Sequence, residues 1–325
     1  MKYRILGKTG MRVSELGFGG WGIGGDWWSG ADDRESLRSL ELAKDLGINF
    51  FDSALVYGNG HSEKLIGKAV EGNRDAYIVT SKIPPKNFVF PAKLGTPMKE
   101  AYPADWIMEC TEKSLKSFGL DCIDLQQFHV WINEWTDVEE WIAAVEKLKR
   151  DGKIRAFGCS VNFPYSDDDN AVPPVEKGLF DAVQIVYNIY QQEPQRDLFK
   201  TAQAHNVGVI ARCILDEGAI TGKITPETSF PPGSFLDTYF SGDRKKTVYE
   251  KAQELQWLVT EGYAQTLAEA ATRFVLSSPA VSTAIAGMRN PNHAEANCAA
   301  VDKGPLPQEA LDRLKEHEWP HNYWV

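Results

Sequence analysis

The segment Gly47–Gly67 reads G-I-N-F-F-D-S-A-L-V-Y-G-N-G-H-S-E-K-L-I-G. It opens as a short apolar strand, Ile48 to Phe51, with a lone carboxylate, Asp52, where that strand should end. Tyr57 follows in a loop pinned by Gly58 and Gly60, and Ser62 and Glu63 then open a helix carrying Leu65 and Ile66. A carboxylate and a phenol therefore meet at one strand end, just before a helix begins. Loops held by a rigid scaffold are where catalytic groups tend to lie. Taken alone, the segment also reads as an ordinary strand-to-helix connection, because Asp, Asn and Gly are common turn residues.

The same unit recurs outward along the chain. Strands are expected at Leu16–Gly19, Asn49–Asp52, Tyr77–Lys82, Ile123–His129, Ile154–Ser160, Ala182–Asn188, Val207–Arg212 and Ser282–Ala286. Helices are expected at Asp33–Leu46, Ser62–Val70, Ala104–Phe118, Val138–Arg150, Val172–Lys177, Gln195–His205, Leu267–Ser277 and Asn292–Val301. Leu37, Leu40, Ala43 and Leu46 form an apolar stripe closed by Gly47, and Trp141, Ala144, Val145 and Leu148 do the same before Gly152. Strict alternation of strand and helix predicts an α/β fold, a (β/α)8 TIM barrel forming a single domain over residues 1–325. Residues 3–15 read as an N-terminal β-hairpin able to plug one end of a larger sheet. Thr247–Thr260 and Pro307–His317 read as extra C-terminal helices, Thr221–Asp243 as a Pro-rich loop, and Glu318–Val325 as an aromatic tail.

Composition narrows the functional classes. Hydrophobic residues make up 43% and charged residues 25% of the 325, enough to bury a large core. The formal charge is -10, and no Lys/Arg block is long enough to serve a nucleic acid, although small anions need only a local basic pocket. The five cysteines are scattered, with no C-x-x-C and no metal-finger spacing with His, which fits reduced thiols. No run approaches the ~20 apolar residues of a membrane span, and the N-terminus lacks the apolar region of a secretory signal. A cytoplasmic protein with no membrane and no nucleic-acid partner is expected.

Gly17–Gly25 contains G-x-G-x-x-G twice. A dinucleotide fingerprint needs its third glycine in a starting helix. Here D-W-W-S-G follows, and helical periodicity begins only near Asp33, so the fingerprint is rejected. The glycines are expected to let the backbone pass close to a ligand at the barrel mouth, lined by Trp21, Trp27 and Trp28.

In such a barrel, polar residues at the C-terminal ends of strands read as catalytic. The second strand ends in Asp52 with Tyr57 just beyond, the third in Lys82 and the fourth in His129. Ile78, Thr80 and Lys82 share one face by period two, as do Leu125, Gln127 and His129. Each residue alone has an ordinary structural explanation; four on successive strands suit proton donation to a carbonyl as hydride arrives. A free tyrosine has a pKa of ~10, and Lys82, held by Asp52, is expected to lower it by favouring phenolate. His129 is expected to hydrogen-bond the substrate oxygen. Side chains do not donate hydride, so a cofactor must.

With these residues placed, the chain resembles the aldo-keto reductase superfamily over nearly its whole length. The matching segments are G-K-T-G-M-R-V-S-E-L-G-F-G at 7–19, F-F-D-S-A-x-x-Y-G at 50–58, S-E-x-x-I-G at 62–67, S-K at 81–82 and F-H at 128–129. They continue with G-C-S-V-N-F at 158–163, V-Q-I-V-Y-N at 183–188 and I-A-G-M-R-N at 285–290. The resemblance implies a catalytic tetrad of Asp52, Tyr57, Lys82 and His129. It implies nicotinamide contacts at Ser160, Asn162 and Gln184, and NAD(P)H-dependent reduction of an aldehyde, ketone or sugar carbonyl, the small-molecule partner. Further cofactor contacts are expected from Gly20, Trp21 and Asp52 at the mouth; from Arg212, Ile214, Leu215, Glu217, Gly218 and Lys223 after the seventh strand; and from Gly287, Arg289, His293 and Asn297 around the last helix. Late loops of such barrels often hold phosphates. Arg289, a planar fork before a helix N-terminus, points to a 2′-phosphate and to NADPH/NADP+ over NADH.

Three departures from the family pattern stand out. Arg212 occupies the place where an aromatic usually stacks on the nicotinamide. A guanidinium stacks through its plane, but its charge opposes oxidised pyridinium, so Arg212 is expected to favour reduced cofactor or to meet an anionic or polyhydroxylated substrate. His293 and Ala296 stand where Gln and Glu are common. Val130-Trp131 follows His129, and Trp131 is expected to join Trp21, Trp27, Trp28, Tyr57 and His129 in the substrate pocket. Two alternatives stay open, a cofactor-binding regulatory subunit of the same fold and a sugar or alcohol dehydrogenase acting oxidatively. A glycoside hydrolase needs a facing acid pair, and only Asp52 is clearly placed.

Overall fold

Strand side chains alternate between the two faces of a sheet, and here the inward-facing set changes from apolar to polar along each strand. Phe50 leads to Asp52, Ile78 to Thr80 and Lys82, Leu125 to Gln127, Ala182 to Gln184, and Ile210 to Arg212. One end of the cylinder is thus a hydrocarbon layer and the other a polar floor. The computed structural model describes residues 1–25, 28 and 30–324.

Ten strands are present among these residues: β1 (Tyr3–Ile5), β2 (Arg12–Ser14), β3 (Leu16–Gly19), β4 (Phe50–Asp52), β5 (Ile78–Ile83), β6 (Ile123–Phe128), β7 (Ile154–Ser160), β8 (Ala182–Val186), β9 (Gly208–Arg212) and β10 (Val281–Gly287). β3 to β10 pair in parallel and close into a barrel in the order β10-β3-β4-β5-β6-β7-β8-β9. Around it lie α1 (Asp33–Asp45), α2 (His61–Val70), α3 (Met98–Ala101), α4 (Ala104–Phe118), α5 (Glu139–Arg150), α6 (Val172–Glu176), α7 (Leu198–Ala204), α8 (Phe235–Tyr239), α9 (Arg244–Glu254), α10 (Trp257–Thr260), α11 (Leu267–Ser277), α12 (Pro291–Asp302) and α13 (Gln308–Leu314). The (β/α)8 barrel with an N-terminal hairpin and extra helices is the fold expected from the sequence. No helix among the described residues is long and apolar enough to cross a membrane.

β1 and β2 form the antiparallel hairpin, with Tyr3 opposite Ser14. Leu6, Met11 and Val13 join Phe50, Ile78, Leu125, Ala156, Ala182, Ile210 and Ile285 in one buried cluster. The hairpin therefore seals the N-terminal end of the barrel and leaves the polar end as the one open to a ligand. Arg4 fastens it by donating to the carbonyls of Leu276, Ser278 and Val281 at 2.7–3.0 Å.

Two expectations change. The helix expected over Thr247–Thr260 breaks into α9 and α10. Leu255 and Gln256 bond back three residues, to Ala252 and Gln253, and this tighter turn lets Leu255 and Leu258 both be fully buried. The Pro-rich segment 221–243 contains α8, opened by Ser234, whose side chain accepts from the Asp237 amide at 3.3 Å. That Ser-x-x-Asp spacing is a helix-start signal the Pro-rich composition masked.

Met11→Ala removes a buried wedge from the plug and should lower stability by about 2–5 kcal/mol. Urea unfolding should show this as a fall in midpoint with the slope unchanged; a loss below about 0.5 kcal/mol would mean that the hairpin merely drapes over the barrel.

Candidate active site

The polar floor is organised by Asp52, 2% exposed, and Lys82, 1% exposed. Lys82 Nζ lies 2.5 Å from Asp52 Oδ2 and donates to the Ser53 carbonyl at 2.9 Å. Asp52 Oδ1 accepts from Thr80 at 2.8 Å, from Gln184 at 2.8 Å and, more weakly, from Gln127 at 3.4 Å. Strands β4, β5, β6 and β8 thus converge on one carboxylate. Its oxygens are fully engaged by protein donors, so Asp52 organises the site rather than meeting a cofactor. Burial pulls the Lys82 ammonium below its ordinary range, and Asp52 pulls it back.

Tyr57 stands above this pair, partly exposed, with Lys82 Nζ 5.3 Å from its ring centroid. Its loop is stitched to the scaffold. Tyr57 N–H donates to the Ala54 carbonyl at 3.0 Å, and the Ser62 amide to the Tyr57 carbonyl at 3.2 Å. Ser53 donates to Ser62, and Ser62 to the Gly20 carbonyl, both at 2.8 Å. Gly58 has φ +62°, and a Cβ there would sit 2.0 Å from the Gly24 carbonyl oxygen, so only glycine fits. The glycines at 20 and 24 serve the same packing. A Cβ on Gly20 would meet the Asp52 carbonyl at 2.7 Å, and one on Gly24 would meet Tyr57 at 2.9 Å. Their close approach is to the chain's own β4–α2 loop, where a ligand was expected. Both backbone groups of Gly20 are taken, its N–H by Asp52 and its carbonyl by Ser62.

The electrostatics of Tyr57 reverse the expectation from sequence. Burial and then the Asp52 charge push the phenol up, well above its ordinary range, with Arg212 opposing them. The Lys82 charge is committed to Asp52, and Arg212 is the cation that draws the phenol down, but burial outweighs it. Tyr57 is therefore held firmly protonated. His129, also partly exposed, sits with its ring 5.8 Å from Tyr57. Burial, with Lys82 and Arg212, drives its pKa far down, so the imidazole is neutral, and its Nδ1 has no partner among the described residues.

Trp131 is not a pocket wall. It is fully buried, 4.8 Å from Phe180 and 5.7 Å from Trp141 by ring centroids. After β6 the chain turns outward, so Trp131 fills the core there. Phe90, 42% exposed and 5.2 Å from His129, takes the place at the mouth. Trp21 and Trp28 do reach the mouth, Trp21 lying 6.2 Å from Tyr57 and 5.2 Å from Trp28. Trp27 lies outside the described residues. Phe235 of α8, 4.7 Å from Trp21, and Trp324, stacked on Trp21 at 5.3 Å, complete the aromatic rim. Neither carried a sequence signal beyond an aromatic in a loop or a tail.

Of the expected cofactor contacts, Ser160 ends β7 beside Gln184, whose amide is turned onto Asp52. Asn162 donates to the Ala92 carbonyl at 3.1 Å and to Asp169 at 3.0 Å, tying two loops together. Ile214 is buried and offers only backbone, and Leu215 packs partly buried against the core. Gly218 has φ +102° and Gly287 is exposed at the end of β10. Burial, then Arg289 and Lys223, hold the His293 imidazole below its ordinary range, so two cations and a neutral imidazole lie near the N-terminus of α12. Asn290 caps that helix by accepting from the His293 amide at 3.1 Å. Asn297 reaches back to the Gly287 carbonyl at 3.4 Å, and Arg289 lies over Trp28 at 5.6 Å. Helix N-termini favour anions, so this corner fits the phosphates of a dinucleotide.

The tail folds across the mouth. Trp319 N–H donates to the Tyr190 carbonyl at 2.9 Å, Gln191 donates to the His321 carbonyl at 2.9 Å, and Arg244 to the Tyr323 carbonyl at 3.0 Å. His321 Nε2 lies 3.1 Å from Asp216 Oδ2, both nearly buried. Burial opposes the charged imidazole, but Asp216 and the Trp319 carbonyl outweigh it and hold the group above its ordinary range.

Fold and site together define a barrel oxidoreductase acting on carbonyl compounds or sugars. The profile of the Aldo/keto reductase family matches residues 15–318, and the chain belongs to that family. It is 32% identical over 302 residues to the aldo-keto reductase YhdN of Bacillus subtilis (strain 168), across 91% of this chain and 87% of that protein. It is 29% identical over 334 residues to a putative voltage-gated potassium channel subunit beta of Schizosaccharomyces pombe, across 97% and 92%. Among solved structures, the glycerol dehydrogenase of Gluconobacter oxydans superposes with a TM-score of 0.76 at 27% identity, covering 97% of this chain and 94% of that one.

The raised His321 pKa makes tail docking pH-dependent. The stabilisation is fully present below the unfolded imidazole pKa of about 6.5 and is lost as pH rises through the folded value. Hydrogen exchange at residues 319–324, corrected for intrinsic rates, should accelerate from pH 6 to pH 9; His321→Gln should remove that pH dependence.

Proposed function

We propose that the chain is an NADPH-dependent reductase that converts an aldehyde, ketone or sugar carbonyl to the alcohol, with Tyr57 as the proton donor. The observation that carries this is a partly exposed phenol whose ring lies 5.8 Å from that of His129 and 5.3 Å from Lys82 Nζ of the buried Asp52–Lys82 pair; burial favours a protonated phenol and a neutral imidazole there. The reduced nicotinamide, when bound, supplies the hydride. His129 donates a hydrogen bond to the carbonyl oxygen and orients it toward Tyr57. As negative charge grows on that oxygen, the Tyr57 O–H bond breaks and its proton passes to the developing alkoxide. An alkoxide is more basic than a phenolate, so transfer is downhill even from a weakened phenol. Arg212 then stabilises the phenolate until it regains a proton. Lys223 and Arg289 near the α12 N-terminus hold the phosphates, with the neutral His293 imidazole beside them, and Arg289 selects the 2′-phosphate. The same site runs the oxidation when alcohol and oxidised cofactor are in excess. Similarity to a putative potassium channel subunit favours a second reading, a cofactor-binding regulatory subunit of the same fold, which predicts tight NADPH binding without turnover.

Tyr57→Phe should lower kcat by about 10²–10⁴-fold, with NADPH binding by fluorescence quenching unchanged; retained turnover would remove Tyr57 as the acid. Arg289→Ala should raise the KM for NADPH by about 10- to 100-fold, the worth of a charge-assisted hydrogen bond, and leave that for NADH nearly unaltered. An unchanged cofactor preference would sink the 2′-phosphate assignment.

A further inference from the structure

The loop after β9 is the most strained connection among the described residues. Cys213, Asp216 and Glu217 hold φ values of +53°, +50° and +53°. These are three of the seven non-glycine residues with positive φ among the described residues, all within five positions. Such strain persists only where surrounding structure imposes it, and it gathers at functional sites. Its effect here is to send neighbouring carboxylates in different directions. Asp216 goes to His321 of the tail. Glu217 turns back toward the strand end, where its Oε1 accepts from Cys213 Sγ at 3.2 Å.

Glu217 was expected among the cofactor contacts, but a carboxylate repels phosphate, and its side chain is turned to Cys213 at the end of β9. It is among the charges that act on Tyr57 and on Tyr239 of α8. Its one hydrogen-bond donor among the described residues is a thiol, which is a weak donor. Beside it, Arg212 spends its Nη2 on the Val161 carbonyl at 3.2 Å and Nη1 on Cys213 Sγ at 3.5 Å. Arg212 Nε is buried with no partner among the described residues. Buried polar groups normally find partners. The wall next to the acid therefore presents an under-used acceptor and an unused donor side by side. A hydroxyl group satisfies both, since it donates and accepts at one oxygen.

We propose that Glu217 and Arg212 are substrate-recognition residues for a hydroxyl group carried next to the reacting carbonyl, so that the enzyme selects α-hydroxy aldehydes and ketones, small sugars included, over bare aldehydes. This rests on the reading of Tyr57 as the place where the carbonyl binds. The hydroxyl donates to the Glu217 carboxylate and accepts from Arg212 Nε. Cofactor ribose offers the same chemistry, so the test separates the two sources.

The test is NADPH-dependent reduction of glyceraldehyde and propionaldehyde by the full chain and by Glu217→Leu and Glu217→Gln. The wild type should favour glyceraldehyde in kcat/KM by about tenfold or more, one charge-assisted hydrogen bond. Glu217→Leu should bring the ratio to about one, chiefly through KM for glyceraldehyde. The near-isosteric Glu217→Gln, which keeps an acceptor but no charge, should fall between and guards against loss of folding. Burial raises the Glu217 carboxyl to about 7. The groups facing it are Cys213 and Asp216 on its loop, Arg212 at the strand end, Tyr57, and Tyr239, with His321 behind Asp216. Glyceraldehyde KM in the wild type should therefore fall as pH rises through about 7, and Glu217→Gln should lose that dependence. A wild-type ratio near one overturns the proposal but leaves the reductase reading intact; no turnover of either aldehyde overturns both. A weaker NADPH dissociation constant in Glu217→Leu with an unchanged ratio would assign the carboxyl to the ribose and overturn it as well.

Discussion

The site depends on one ion pair taken out of water, Asp52 with Lys82. Burying two charges costs several kcal/mol per ion, and only close geometry with further hydrogen bonds offsets this. Here the offset comes from Thr80, Gln184 and the Ser53 carbonyl, with Gln127 a weaker contributor. These groups sit on different strands, so the pair forms only when the barrel has closed with its strands in register. The hairpin plug contributes from the other end: by sealing the apolar layer it leaves the polar floor as the open face of the cylinder.

What the pair does for Tyr57 differs from the simplest electrostatic expectation. An ammonium beside a phenol should make it more acidic, yet the Lys82 charge is spent on Asp52, and burial keeps the phenol protonated. A proton donor needs its proton in place before the substrate oxygen becomes basic. In the proposed reaction desolvation keeps that proton on Tyr57, and Arg212 is the charge that would receive the phenolate afterwards. His129 follows the same logic, since burial beside two cations keeps it neutral.

Above the floor, the mouth is built from segments with little secondary structure of their own. The β9 loop is strained into place, α8 brings Phe235, and the tail brings Trp324. Asp216 joins two of these through His321. The loop that borders the cofactor corner and the tail that covers the aromatic rim are thus mechanically connected. A rigid cylinder holds the polar floor, and a loop and the tail shape what reaches it.

Much of this was legible in the amino-acid order. Strand-helix alternation predicts the barrel, and period two places Asp52, Lys82 and Gln127 on the inward face, because both patterns depend on local geometry alone. The glycines at 20, 24 and 58 mark close approach, but not to what; only the folded chain shows them packing against each other's loops. Trp131 and Phe90 exchange roles because the direction a chain takes after a strand ends is set by the core it meets. Amino-acid order alone settled which polar residues share one end of a barrel. The tertiary structure decided their protonation states, the inward turn of Glu217 and the seat of Trp324 over Trp21. Desolvation and contacts between opposite ends of the chain have no local signature to read.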